Sequence, residues 1–173
     1  MARINHRVTW EESMQDTRTH SPKHASTDHP VHELIARRWS PFAFAERPVA
    51  AEDLRALFEA ARWAASSFNE QPWSFIVATR DDAATFERVA GCLTEKNQAW
   101  ARRASALVLT VIRPRLARND RPNRVALHDL GLAVGNLTVE ATSRGLAVHQ
   151  MAGVDRDEAR RRFGVPDDHE VVT

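Results

Sequence analysis

Only one cysteine, Cys92, occurs among the 173 residues of this chain. An intramolecular disulfide is excluded, and a reducing compartment is expected. An excess of one charge is lacking too: 24 Lys and Arg face 23 Asp and Glu, a formal net charge of +1. That balance gives no electrostatic footprint for nucleic acid or an acidic surface, so neither is expected as a partner. No apolar run approaches the roughly 20 residues that span a bilayer. The opening MARINHRVTWEESMQ has no signal-peptide core. The expectation is a soluble cytoplasmic protein without a membrane partner. Also missing are a Gly-rich dinucleotide fingerprint, a P-loop, His-Glu-x-x-His and Cys-x-x-Cys. His128 and Asp129 are adjacent, so on a helix they point apart and form no dyad. His149 sits in a strand pattern and reads as a satisfied core or edge histidine. With no protein-borne nucleophile or acid–base pair, no catalytic side chain is assigned, and the chemistry is expected from a cofactor.

What is present divides into two parts. Residues 1–30 hold few apolar side chains and balanced charge, the composition of a flexible polar extension. His20, His24, His29 and His32 cluster there, but Pro22 and Pro30 interrupt any helix that would align them, and no metal site is assigned. From Val31 to Thr173 the pattern is that of one globular domain. Helices are expected over His32–Arg38 and Ala51–Ala64, from a cap at Asp81 or Asp82 through Val89 to Leu93 with a second piece through Trp100, from Asn123 or Arg124 to Arg144, and over Arg156–Phe163. Strands are expected over Ser74–Thr79, Ala104–Ile112 and Leu146–Met151, with a further apolar run opening at Val171. This is an α+β arrangement, a central mixed or antiparallel sheet flanked by helices. Leu127, Leu130, Ala133, Val134, Leu137 and Ala141 make the long helix apolar on most sides, and such a helix is buried. Gly131 and Gly135, four apart on it, allow another backbone to approach, so part of that burial is expected from a second subunit.

The most specific stretch is AARWAASSFNEQPWSF, residues 60–75. A helical pattern breaks into Ser66–Ser67, passes Asn69 and Gln71, and enters an apolar run at Pro72–Trp73. Short hydroxyls and amides at such a junction can meet a planar, heteroatom-rich ligand. Trp63, Phe68 and Trp73 can wall its apolar part.

This segment resembles the flavin-contacting segment of the FMN-dependent nitroreductase family, in which Ser-Ser-x-Asn-x-Gln-Pro-Trp brings hydroxyls and amides to the flavin. Four further stretches are similar in the same order: Arg38-Trp39-Ser40-Pro41-Phe42-Ala43-Phe44, Asn97 ahead of a core strand, His128-Asp129-Leu130-Gly131 opening the long helix, and Gln150-Met151-Ala152-Gly153. The resemblance implies a homodimer with FMN at the interface, NADH or NADPH as electron donor, and a small aromatic or quinone-like acceptor. One subunit would supply Arg38, Trp39 and Ser40 on the ribityl-phosphate side. The same subunit would supply Asn97 at the pyrimidine edge and Gln150, Met151, Ala152 and Gly153 near N5. The other would supply Ala65, Ser66, Ser67 and Asn69. The chain departs from the family pattern at Phe42, where a second phosphate-binding cation is usual, and at Ala65, where Pro is common. The usual C-terminal strand and extension beyond Val172 are also lacking. Two classes of function therefore stand side by side: an FMN-dependent oxidoreductase, and a non-catalytic or weakly flavin-binding dimer of the same fold.

Overall fold

A computed structural model describes residues 23–173; residues 1–22, and with them most of the expected extension, lie outside the described residues. Residues 23–30 run extended and exposed, and the Ala25 N–H donates to the Ala36 carbonyl at 2.8 Å. The His32 ring accepts from the Leu34 N–H at 3.2 Å and caps α1, Glu33–Arg37.

Helix α2, Ala51–Arg62, carries Leu54, Leu57, Phe58 and Ala61 at helical spacing, with Glu52 and Asp53 in the first turn, where the helix dipole favours carboxylates. Strand β1 is Trp73–Thr79. Asp82 caps α3, Ala83–Ala90, by accepting from the Thr85 N–H at 3.0 Å. Then follow α4, Glu95–Ala101, and β2, Ala106–Ile112, a run of apolar residues that is nearly all buried. The long helix is α5, Ala126–Ser143, with Gly145 beyond it at φ +69. Asp155 caps α6, Arg156–Phe163, and Gly164 ends it at φ +62, a left-handed position that glycine adopts without Cβ strain. Strand β3 is Glu170–Val171.

The sheet is antiparallel throughout, in the order β1-β2-β3. One core lies between the sheet, α3 and α6, built on Leu107, Leu109, Phe86, Val89 and Ala159. A second joins α2 to α5 through Leu57 and Ala61 against Ala133, Leu137 and Ala141. A third seats Ala126 and Leu130 of α5 on Ile112.

Helix α5 is not enclosed all round. Leu127, Leu132 and Val139 are exposed, and a Cβ added at Gly131 or Gly135 would meet nothing within 4 Å. The expectation of burial holds for one side of the helix, and the other side is an apolar stripe that this chain does not cover.

The expected strand at Leu146–Met151 does not form. Strand β3 ends against Thr110, whose N–H donates to the Thr173 carbonyl and whose carbonyl accepts from the Val172 N–H, both at 2.8 Å. Antiparallel alternation turns the main-chain groups of Val108 and Ala106 to the same side, and among the described residues these groups have no partner there. Leu146–Met151 lines the cavity next to them. It pairs with no strand among the described residues, and a strand exists only as part of a ladder.

Candidate functional site

The 66–71 turn is held in an unusual backbone conformation. Phe68, Asn69 and Gln71 have φ of 54, 58 and 47. Asparagine tolerates this left-handed region, but the other two are strained by roughly 1–2 kcal/mol each. Three hydrogen bonds to side-chain acceptors tie the turn. The Ser67 N–H donates to Asp129 Oδ2 at 3.0 Å, the Gln71 N–H to Ser66 Oγ at 3.0 Å, and the Ala117 N–H to Glu70 Oε2 at 2.7 Å. Asp129 lies in the first turn of α5 and is 3% exposed. Local strain sustained by several independent ties is common where a loop must present a ligand-binding surface.

Ala65 and Asn69 are exposed, and Ser66 and Ser67 are half-buried. Trp73 packs in the core, but Trp63 and Phe68 do not wall a cleft within this chain: they are 72% and 71% exposed. Trp63 instead donates its indole N–H to Glu59 at 2.9 Å, and the Arg62 guanidinium lies 5.0 Å from its ring centre. Arg118 lies 3.9 Å from the Phe68 ring centre.

Of the second group of expected residues, Arg38, Trp39, Gln150 and Met151 line one or both of two cavities, and Ser40, Asn97, Ala152 and Gly153 line neither. The larger, of about 360 Å³, lies between β2, α2, α5 and Leu146–Met151 and is lined by Trp39, Phe58, Leu107, Val134, Gln150 and Met151 among others. The smaller, of about 110 Å³, includes Arg38, Trp39, Thr142 and Leu146. Trp39 is common to both. Arg38 Nη1 donates to Ser40 Oγ at 3.2 Å, so the guanidinium and hydroxyl point into one place. Neither cavity includes Ala65, Ser66, Ser67 or Asn69.

Asn97 and Gly153 are built as a unit. The Asn97 amide donates to the Gly153 carbonyl at 3.1 Å, and the Thr94 N–H donates to the same carbonyl at 3.0 Å. A Cβ at Gly153 would lie 2.5 Å from Asn97 Nδ2 and 2.8 Å from Thr94 Oγ1, so a side chain there would displace the Asn97 amide and the Thr94 hydroxyl. The next residues are tied down by the Leu93–Val154 bridge and by the Asp155 N–H on the Cys92 carbonyl at 2.7 Å. By contrast, the N–H groups of Ala152 and Gly153 have no partner among the described residues. Gln150 reaches Thr138 Oγ1 at 3.5 Å, and Met151 packs on the core.

Phe42 has a packing role. It sits edge-on to Trp100 and to His149, with ring centres 5.1 and 4.7 Å apart. His149 is tied to the Pro41 carbonyl at 2.8 Å through Nδ1. His24 pairs with Glu33 at 3.1 Å.

Asp129 escaped the sequence reading because it was weighed only against His128. Its signal was its place: a carboxylate in the first turn of a helix seeks an N–H, and Ser67 supplies one from 62 positions away. Arg118 had no sequence signal beyond its Arg- and Pro-rich loop.

The donor set suits a flavin mononucleotide. A guanidinium and hydroxyl suit a phosphate, a carboxamide suits a pyrimidine edge, and two unengaged backbone N–H groups suit a ring nitrogen.

Comparison with known proteins supports this chemistry. Residues 35–173 match the model of the Nitroreductase family. A crystal structure described as an oxidoreductase containing FMN superposes with a TM-score of 0.81 at 32% identity, covering 90% of this chain and 79% of that one. A nitroreductase family protein from Clostridium novyi NT superposes at 0.67 with 21% identity, covering 81% and 79%, and shows the fold alone. The Major NAD(P)H-flavin oxidoreductase of Aliivibrio fischeri is 46% identical over 56 residues, 32% of this chain and 26% of that protein. An uncharacterized 15.4 kDa protein in the ask 5'region of Mycolicibacterium smegmatis is 44% identical over 100 residues, 54% of this chain. The match spans 65% of that relative's length, so in both of these proteins it covers less than two thirds.

Proposed function

The chain belongs to the nitroreductase family, and from that premise we propose that it is a cytoplasmic FMN-dependent oxidoreductase. It would take electrons from NADH or NADPH and pass them to a small electrophile such as a nitroaromatic or quinone. Bound FMN would supply hydride acceptance and donation at its N5. The chain's own residues bind and orient. Arg38 and Ser40 hold the phosphate side, and Trp39 covers the ribityl chain. Asn97 meets the pyrimidine edge, and Gln150 to Gly153 run beside the reactive edge of the ring. Ala65, Ser66, Ser67 and Asn69 serve the site of a second subunit.

The observation that carries this reading is the pair of N–H groups at Ala152 and Gly153, which have no partner among the described residues and sit in a loop packed closely against Asn97 and Thr94. The exposed stripe Leu127, Leu132 and Val139, with the open glycines Gly131 and Gly135, supports a homodimer packed through α5.

The test is the visible spectrum of the purified protein. Flavin absorbance that is released as FMN on denaturation, bleached by NADH or NADPH and restored by a quinone, is the expected result. A colourless protein that gains no flavin absorbance with added FMN would sink the proposal and favour the non-catalytic dimer.

A further inference from the structure

The loop that leads into α5 is strongly cationic. Arg113, Arg115, Arg118, Arg121 and Arg124 fall within residues 113–124 beside a single carboxylate, Asp120. Asp120 is taken by Arg115 at 2.9 Å and Arg113 at 3.5 Å, and Arg113 also meets Asp168 at 3.3 Å. Arg118, Arg121 and Arg124 are exposed and have no ion pair among the described residues.

The loop has a fixed shape. The Arg115–Pro122 bridge and the Leu116 N–H on the Arg121 carbonyl at 2.8 Å close it on itself. The Ala117–Glu70 bond fastens it to the strained 66–71 turn. Arg118 is thereby placed on Phe68, an aromatic ring that is itself 71% exposed. A guanidinium over a ring face does not spend its N–H groups on that contact, and Arg118 has no ion pair among the described residues. Its N–H edge matches a carboxylate or sulfonate in two parallel bonds, while the exposed ring offers a surface for an aromatic body. Of the two acids nearby, Asp120 is held by Arg115 and Arg113, and Glu70 accepts from the Ala117 N–H through Oε2.

We propose that Arg118 on Phe68 is a recognition element for the anionic group of a planar aromatic ligand, an aromatic carboxylate or sulfonate, and that it biases the acceptor toward acids. The assignment rests on the flavin reading only for calling that ligand an acceptor; the binding itself does not need flavin. Arg121 and Arg124 add positive potential that draws such a ligand in.

Equilibrium titration of the full chain tests it, with naphthalene-2-sulfonate against neutral 2-naphthamide, each with and without FMN. The sulfonate is expected to bind at least five-fold tighter, with the difference shrinking at high salt. Arg118→Ala should remove the preference, Arg118→Lys should keep part of it, and Arg103→Ala, an exposed arginine elsewhere, should change nothing. Equal affinity for the two probes in the unmodified chain overturns the proposal. So does a preference that survives Arg118→Ala. Tighter binding of NADP⁺ than NAD⁺ that is lost in Arg118→Ala, with no discrimination between the naphthalenes, also overturns it and assigns the element to the electron donor. A sulfonate preference in a chain that binds no FMN supports this proposal while sinking the oxidoreductase; FMN binding without a preference does the reverse.

Discussion

The Ser67 amide donates to the Asp129 carboxylate at 3.0 Å, joining a strained turn to the first turn of the longest helix. Removing the acceptor leaves a partly buried N–H unpaired, which costs about 1–3 kcal/mol. Asp129→Ala is therefore expected to lower stability by that amount in urea unfolding. Asp129→Asn, which keeps an acceptor oxygen, should lose less. If the turn carries part of a ligand site, Asp129→Ala should also weaken FMN binding to the dimer.

Arg38 and Ser40 form the proposed phosphate grip. Arg38→Ala should weaken FMN by roughly 1.5–3 kcal/mol, the range of a charge-assisted bond. Riboflavin, which has no phosphate, should lose much less in the same variant. Equal losses measured for the two flavins by fluorescence titration would reject this role.

Gly153 is packed closely by the Asn97 and Thr94 side chains. Gly153→Ala drives a methyl against the Asn97 amide and the Thr94 hydroxyl, at 2.5 and 2.8 Å, and these side chains or the loop must shift. The expected outcome is a clear loss of flavin affinity, with a stability loss of about 1–3 kcal/mol for overpacking. A variant that binds FMN as the unmodified chain does would show that this loop does not set the site.

The uncovered stripe on α5 gives a prediction about assembly. Leu132 is 41% exposed in the single chain. Leu132→Glu puts a charge into the proposed two-fold contact, where burial without a partner is costly. Sedimentation should show a shift from dimer to monomer. A monomeric unmodified chain at micromolar concentration removes the dimer.

Glu59 provides a pH test. Hydrogen bonds from Arg62 and then Trp63 pull its pKa from 4.5 to about 2. The folded-state pKa lies below the unfolded one, so the stabilisation is fully present above pH 4.5 and is lost as pH falls toward about 2. Glu59→Gln should flatten the acid limb of the stability curve in that window. The effect should fade at high salt, because the Arg62–Glu59 pair stands in solvent. An unchanged acid limb in low salt would show that this pair contributes nothing.

Local order was legible in the sequence wherever a short-range rule decides it. Asp82 and Asp155 stand where they cap α3 and α6, Gly164 stops α6, and the apolar spacing of Leu54, Leu57, Phe58 and Ala61 writes α2. Leu146–Met151 misled because alternation shows only that a segment suits a strand, whereas its pairing depends on a neighbour far away in the chain. The Ser66–Asn69 turn was visible by composition, but its left-handed backbone was not. Phe68 and Gln71 have no intrinsic preference for positive φ and are held there by Asp129 and Ser66. Asn97 and Gly153 were both marked as cofactor contacts, but their mutual fit appears only when Thr94 closes the third side.

The unpaired side of β2 also bears on how the protein behaves in concentrated solution. Ala106 and Val108 present main-chain donors and acceptors along an apolar cleft, in line with the end of β3. Such a row is a template for any extended segment that reaches it, including one from a partly opened neighbouring molecule. An extended segment lying in this cleft in line with Thr173 would lengthen β3 along β2 and satisfy these groups.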